Sequence, residues 1–152
     1  MSKTTYDLTE EIKSAIGVEE LKNYQKRNNA EMQKDPVQFL LDTAALHNID
    51  KPSLIKNSGM ERSRASHILS NDRTMTREVC LAFAIAGKLT LDEANTLLKY
   101  AGHSQLYARN KRDSVLIYAL DKGLSLMDTN STLFDLELEL VPKARAKSSI
   151  EV

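Results

Sequence analysis

The segment 54–76, LIKNSGMERSRASHILSNDRTMT, constrains the fold of this chain more than any other stretch. Leu54, Ile55 and Ser58 open a short helix. Gly59 then suits the left-handed backbone by which a chain reverses without a β-carbon clash. A second short helix follows, with Ala65, Ile68 and Leu69 on its apolar face and Arg62, Arg64 and His67 elsewhere on its surface. Asn71 tolerates a left-handed conformation and ends it. A basic loop containing Arg73 and Arg77 comes next.

The flanks read as further helices. Leu8, Ile12, Ala15 and Ile16 recur at helical spacing behind Asp7 and Glu10, which resemble a capping box, and Gly17 breaks that helix. Val18, Leu21 and Tyr24 begin a second one, predicted to run to about Met32. Asp35-Pro36 is a helix start, and Phe39, Leu40, Ala44 and Leu46 give it a buried stripe ending near Ile49. Asp50 to Ser53 form another turn and cap. Thr76 opens a helix whose buried face is Val79, Leu81, Ala82 and Ile85, closed by Gly87. Thr90 caps the next, with Leu91, Ala94, Leu97, Leu98 and Ala101 inward and Gly102 at its end.

An internal echo appears at an offset of 35. Leu89, Leu91, Asn95 and Leu98 match Leu124, Leu126, Asn130 and Leu133, and Leu81, Phe83 and Ala84 match Leu116, Tyr118 and Ala119. The pattern predicts two helical hairpins, 77–101 and 111–134, stacked on each other. Two copies are too few for a solenoid. Beyond them Leu136, Leu138 and Leu140 alternate with Glu137 and Glu139. This fits a strand needing a partner edge, a continued helix, or pairing across a dimer, and the pattern does not choose. The polar tail 142–152 reads as disordered and solvated, with phosphate contact as its other use.

A chain of 152 residues is most simply one domain. Only five Gly and three Pro disfavour an all-β fold with many tight turns, and 5% aromatics without Trp make the core aliphatic. Cys80, the lone cysteine, forms no intramolecular disulfide and reads as a small core residue. No apolar run reaches the length of a membrane span and the amino-terminal stretch lacks a secretory signal, so a cytoplasmic protein is expected. Net charge is zero, yet residues 51–77 hold six Lys/Arg against two acids, while residues 1–50 hold six against nine. A smaller basic cluster of Arg109, Lys111, Arg112 and Lys122 follows, against Asp113 and Asp121.

Two short helices, a glycine turn and a basic second helix are the layout of a helix-turn-helix, whose second helix enters the DNA major groove. The segment resembles the DNA-binding domain of the phage-repressor-like (XRE) family. Leu54, Gly59, Ile68 and Arg73 stand where that family carries its core Leu, turn Gly, core Ile and basic loop residue. LAFAIAGKLTLDEANTLLKYAG resembles the family's closing helices, and LYARNKRDSVLIYALDKGLSLMDTN a helical hairpin appended in a bacterial subgroup. The likeness covers about residues 36–135. It departs at Glu61 (usually Ser or Thr), Asn71 (usually Gly), Met75 (usually Pro) and the sizes of Ile55 and Ala65.

The resemblance implies an all-α fold: an amino-terminal helical extension over 1–35, a repressor-like domain over 36–102, and an appended hairpin with a dimerisation segment over 103–141. It implies that Arg62, Ser63, Arg64, Ser66 and His67 reach base edges, and that Lys51, Ser53, Lys56, Arg73 and Arg77 hold phosphates. The implied partners are double-stranded DNA and a second copy of the chain, with no cofactor or metal. The implied function is sequence-specific transcriptional regulation, repressor-like, in a bacterial or phage protein. The competing reading is a helical adaptor or inhibitor that keeps the fold but binds a protein. Net neutrality, Glu61 and the acidic amino-terminal helices favour that one. An enzyme is not expected: His47, His67 and His103 are isolated, and no P-loop, GxSxG or Rossmann fingerprint is present.

Overall fold

The computed structural model describes residues 3–32, 35–70 and 74–142. Among them are nine α-helices, one short 3-10 turn and no strand, in agreement with an all-α fold. The chain divides into two compact units, Met1–Lys34 and Asp35–Val152.

The first unit holds α1 (Thr5–Ser14) and α2 (Gly17–Arg27). The capping box lies three residues earlier than expected. Thr4 has the extended backbone an N-cap needs; its hydroxyl accepts from the Asp7 amide at 3.0 Å, and Asp7 accepts from the Thr4 amide at 3.2 Å. The apolar stripe of α1 is not a core face in this structure: no α1 residue is buried, and Ile16 is 79% exposed. α2 stops at Arg27 rather than near Met32, because the buried Asn28 turns its side-chain amide back onto the Tyr24 carbonyl at 3.0 Å. The same amide donates to Glu11 at 2.6 Å, and Lys3 also pairs with that carboxylate. Lys3 first, then Asn28, holds the Glu11 carboxyl below the usual glutamate value.

The second unit packs α3 (Pro36–Leu46), α4 (Lys51–Asn57), α5 (Arg62–Leu69), α6 (Arg77–Ala86), α7 (Leu91–Tyr100), α8 (Lys111–Lys122) and α9 (Leu126–Asp135). Helix α6 is its centre. Every residue from Val79 to Ala86 is buried, not only the expected stripe, because α4, α7, α8 and α9 surround it. Cys80 lies in that helix, fully covered, and burial pushes its thiol pKa up to about 12. Gly87 follows where α3 comes close: a β-carbon there would sit 3.2 Å from the Ala44 β-carbon and 3.1 Å from the Phe83 carbonyl. Helix α3 also meets α7 through an edge-to-face pair of Phe39 and Tyr100, with centroids 5.2 Å apart, and through His47 Nε2, 2.7 Å from Glu93. Leu46, expected inside, is 78% exposed, since α3 ends there and the chain turns.

Hairpins α6–α7 and α8–α9 repeat each other in detail at the offset of 35. α7 over 91–100 matches α9 over 126–135, with Thr90 and Ser125 as N-caps. Lys88 and Gly123 take left-handed backbone at φ 60° and 64°, as do Gly102 and Glu137 at 83° and 60°. The Leu106 amide donates to Asn95 at 2.9 Å, and the Val141 amide to Asn130 at 2.8 Å.

The two copies are joined by reciprocal ion pairs. Arg77 of the first pairs with Asp113 of the second at 3.0 Å, while Arg112 of the second pairs with Glu78 of the first at 2.6 Å. Arg77 also donates to the Ser104 and Gln105 carbonyls at 3.0 and 3.3 Å, and Arg112 to those of Glu139 and Leu140, both at 2.8 Å. Each residue contacts the counterpart of its own neighbour, which is the logic of a two-fold interface between identical pieces.

The alternating segment is neither strand nor continued helix. α9 ends at Asp135 with Leu136 as its C-cap, Glu137 reverses the chain, and the Leu138 amide closes the turn on the Leu133 carbonyl at 2.8 Å. Asn130 then binds both the amide and the carbonyl of the buried Val141. The tail expected over 142–152 lies outside the described residues from 143 onward, and so does Asn71.

Candidate nucleic-acid interface

The α4–turn–α5 unit is built by local chemistry. Asp50 caps α4, accepting from the Ser53 amide at 2.9 Å, and this bond holds the Asp50 carboxyl below the usual aspartate value. Ser58, fully buried, ends α4. Its hydroxyl donates to the Ile55 carbonyl at 2.7 Å and accepts from the Met60 amide at 3.3 Å. Gly59 then takes φ +71°, the left-handed turn read from the sequence. A β-carbon on it would lie 3.0 Å from a methyl of Leu126, so α9 braces the turn from behind.

Glu61 has a definite role here. Its carboxylate caps α5, accepting from the Arg64 amide at 2.9 Å and the Ser63 amide at 3.1 Å. Those bonds, Arg64 first, hold its pKa below the usual glutamate value. The carboxylate thus performs the capping that Ser or Thr commonly performs at a helix N-terminus. The signal was available: an acid directly before RSRASHIL suits a helix N-terminus.

Helix α5 turns Ala65, Ile68 and Leu69 inward, all nearly inaccessible. The opposite surface carries Arg62, Ser63, Arg64 and His67 exposed, with Ser66 half-buried. The five residues read as base-facing therefore lie together on one short helix. Neither Arg62 nor Arg64 makes a side-chain hydrogen bond or ion pair among the described residues. The Ser63 hydroxyl engages Glu61.

The residues read as phosphate-holding are less uniform. Lys51 and Lys56 are exposed on α4, whereas Ser53 is half-buried with its amide and hydroxyl on Asp50. Arg73 lies outside the described residues. Arg77 departs from the reading: its guanidinium is taken up by Asp113 and by the Ser104 and Gln105 carbonyls. It joins the two hairpins instead of facing outward. The clue lay in the recurrence of Arg77-Glu78 as Arg112-Asp113 at the repeat offset.

Beside the unit runs a cavity of about 840 Å³ between α4, α6 and α9, lined by Lys56, Gly59, Ile85, Leu126, Phe134 and Leu140 among others. Among the described residues no group of three or more His, Cys, Asp or Glu is placed to hold a metal. Nor is any of their helices long and apolar enough to cross a membrane. No family model, curated protein or solved structure matches the chain.

Proposed function

We propose that α4, the Gly59 turn and α5 form the helix-turn-helix of a repressor-like, sequence-specific DNA-binding regulator acting in the cytoplasm. The observation that carries this is the division of α5: Ala65, Ile68 and Leu69 anchor it, and Arg62, Arg64 and His67 project from the other side. A guanidinium with no partner among the described residues can bind guanine O6 and N7 together, a contact that discriminates by about 1–3 kcal/mol. Ser63 and Ser66 supply shorter contacts. Lys51 and Lys56 on α4, with Ser53, meet the phosphate backbone; Arg73, outside the described residues, is assigned the same role from the sequence alone. Arg77 serves the fold.

One eight-residue helix reads one half-site, so two copies on a two-fold operator are required, about one turn of DNA apart. The pairing surface is the outer face of α9 and the segment after it. Met127 and Phe134 are 79% and 74% exposed, with Leu136 and Leu140 beside them. The matching positions of the first copy are Asp92, Lys99 and Gln105 for Met127, Phe134 and Leu140. Apolar groups in place of polar ones at matched, exposed positions mark a surface meant to be covered. The same patch favours the second reading, a module that binds another protein.

Fluorescence anisotropy with the DNA upstream of the protein's own coding sequence and a scrambled duplex, at about 50 and 200 mM salt, separates them. Binding that weakens steeply with salt and loses its preference in Arg62→Ala/Arg64→Ala is the expected result. Absence of binding to either duplex at low salt overturns the DNA reading in favour of the protein-binding one.

A further inference from the structure

We infer that the loop leading into α8 is a second DNA-backbone contact, made by Arg109 and Lys111; this rests on the α5 reading. The loop is fixed in place. His103 Nε2 meets the Met75 carbonyl at 2.8 Å, Arg77 holds the Ser104 and Gln105 carbonyls, and the Tyr107 amide donates to Asp113 at 3.0 Å. Residues 103–113 therefore lie against residues 75–77, and the chain reaches those only a few residues after leaving α5. Met75 follows Leu69, the last residue of α5, by six residues, a span of at most about 21 Å, so a duplex engaged by α5 is within reach of this loop.

The charges there divide into two kinds. Arg77 and Arg112 are neutralised by Asp113 and Glu78 and belong to the fold. Arg109 and Lys111 are exposed and make no side-chain hydrogen bond or ion pair among the described residues. They do not help the fold electrostatically either, since cations beside the amino end of a helix oppose its dipole. Two uncompensated cations on a loop pinned against the start of α6 fit the polyanionic backbone of a duplex. They extend the footprint without adding sequence information.

The test uses the full chain and a duplex bound by the wild type, with the dissociation constant followed over about 50–200 mM salt. Arg109→Ala/Lys111→Ala should lower the slope of log K against log salt by about 1.8, close to one contact per cation. The ratio of target to scrambled affinity should stay unchanged. Lys122→Ala is the control for net charge: Lys122 ends the same helix, about 16 Å from Lys111, and its removal should leave the slope alone. An unchanged slope in the double variant, with circular dichroism still native, overturns the inference while wild-type binding leaves the α5 reading standing. An equal fall in Lys122→Ala also overturns it. Failure of the wild type to bind any duplex removes the α5 reading and this inference with it.

Discussion

Hairpins α6–α7 and α8–α9 share the caps of their second helices, the left-handed turns between and after their helices, and an asparagine that pins the following loop, yet they meet different surroundings. The first is enclosed. α6 has neighbours on every side, and α3 lies on α7 through Phe39–Tyr100 and His47–Glu93. The second keeps an open side, where Tyr118, Met127 and Phe134 are more than half exposed. A repeated pattern therefore fixes the path of the chain, while the residues around each copy decide which side chains carry stability. Matching letters in a repeat do not imply matching energies.

The aromatic pair at matched positions should break that comparison most visibly. Phe83 is fully buried and its counterpart Tyr118 is 54% exposed. Phe83→Ala should cost about 3–5 kcal/mol in urea unfolding, through lost burial and the cavity left behind. Tyr118→Ala should cost under about 1 kcal/mol, losing surface area and its place beside Lys122. Equal costs would mean that the second hairpin carries as much of the core as the first.

The asparagines give a smaller and reversed contrast. Asn130 binds both the amide and the carbonyl of Val141, whereas Asn95 accepts from the Leu106 amide. Asn130→Ala should destabilise by about 2–3 kcal/mol, because the buried Val141 loses partners for two groups. Asn95→Ala should cost about 1 kcal/mol. Similar losses in thermal melts would show that the closing segment 136–142 is not held chiefly by Asn130.

The mildest test is acid. Burial works against the charged Glu93, but the Thr90 amide and His47 outweigh it, and the carboxyl titrates below the usual 4.5. The unfolded chain then binds the proton more readily than the folded one, so Glu93 contributes stability above about pH 4.5 and loses it as pH falls through the lower folded value. Glu93→Gln should flatten the decline of stability over that window. A slope unchanged from the wild type would show that the bridge between α3 and α7 adds nothing there.

Much of the frame was legible because it rests on short-range rules. Asp35-Pro36, Thr90 and Gly59 act where they stand, and the 35-residue echo needs only the chain compared with itself. The location of the α5 surface follows from the same rules, since an apolar face fixes its opposite. What escaped depended on distance in sequence. The pairing of Arg77 with Asp113 spans 36 residues, so an arginine in a basic stretch read as a phosphate holder. The alternation of Leu136, Leu138 and Leu140 misled for another reason. Three leucines sample a period of two too briefly, and in the structure the chain reverses at Glu137 with Leu136 and Leu140 both exposed.

The crossed arginine pairs carry a consequence for how this chain can change. Arg77 answers to Asp113 and Glu78 to Arg112, so neither half is electrically complete without the other. A replacement at one site removes the ion-pair partner of a residue in the opposite copy, and compensation must come from a position more than thirty residues away. Descendants of this sequence should therefore vary at these sites in couples, and a lineage that lost the second hairpin would first have to rewrite the opening of α6.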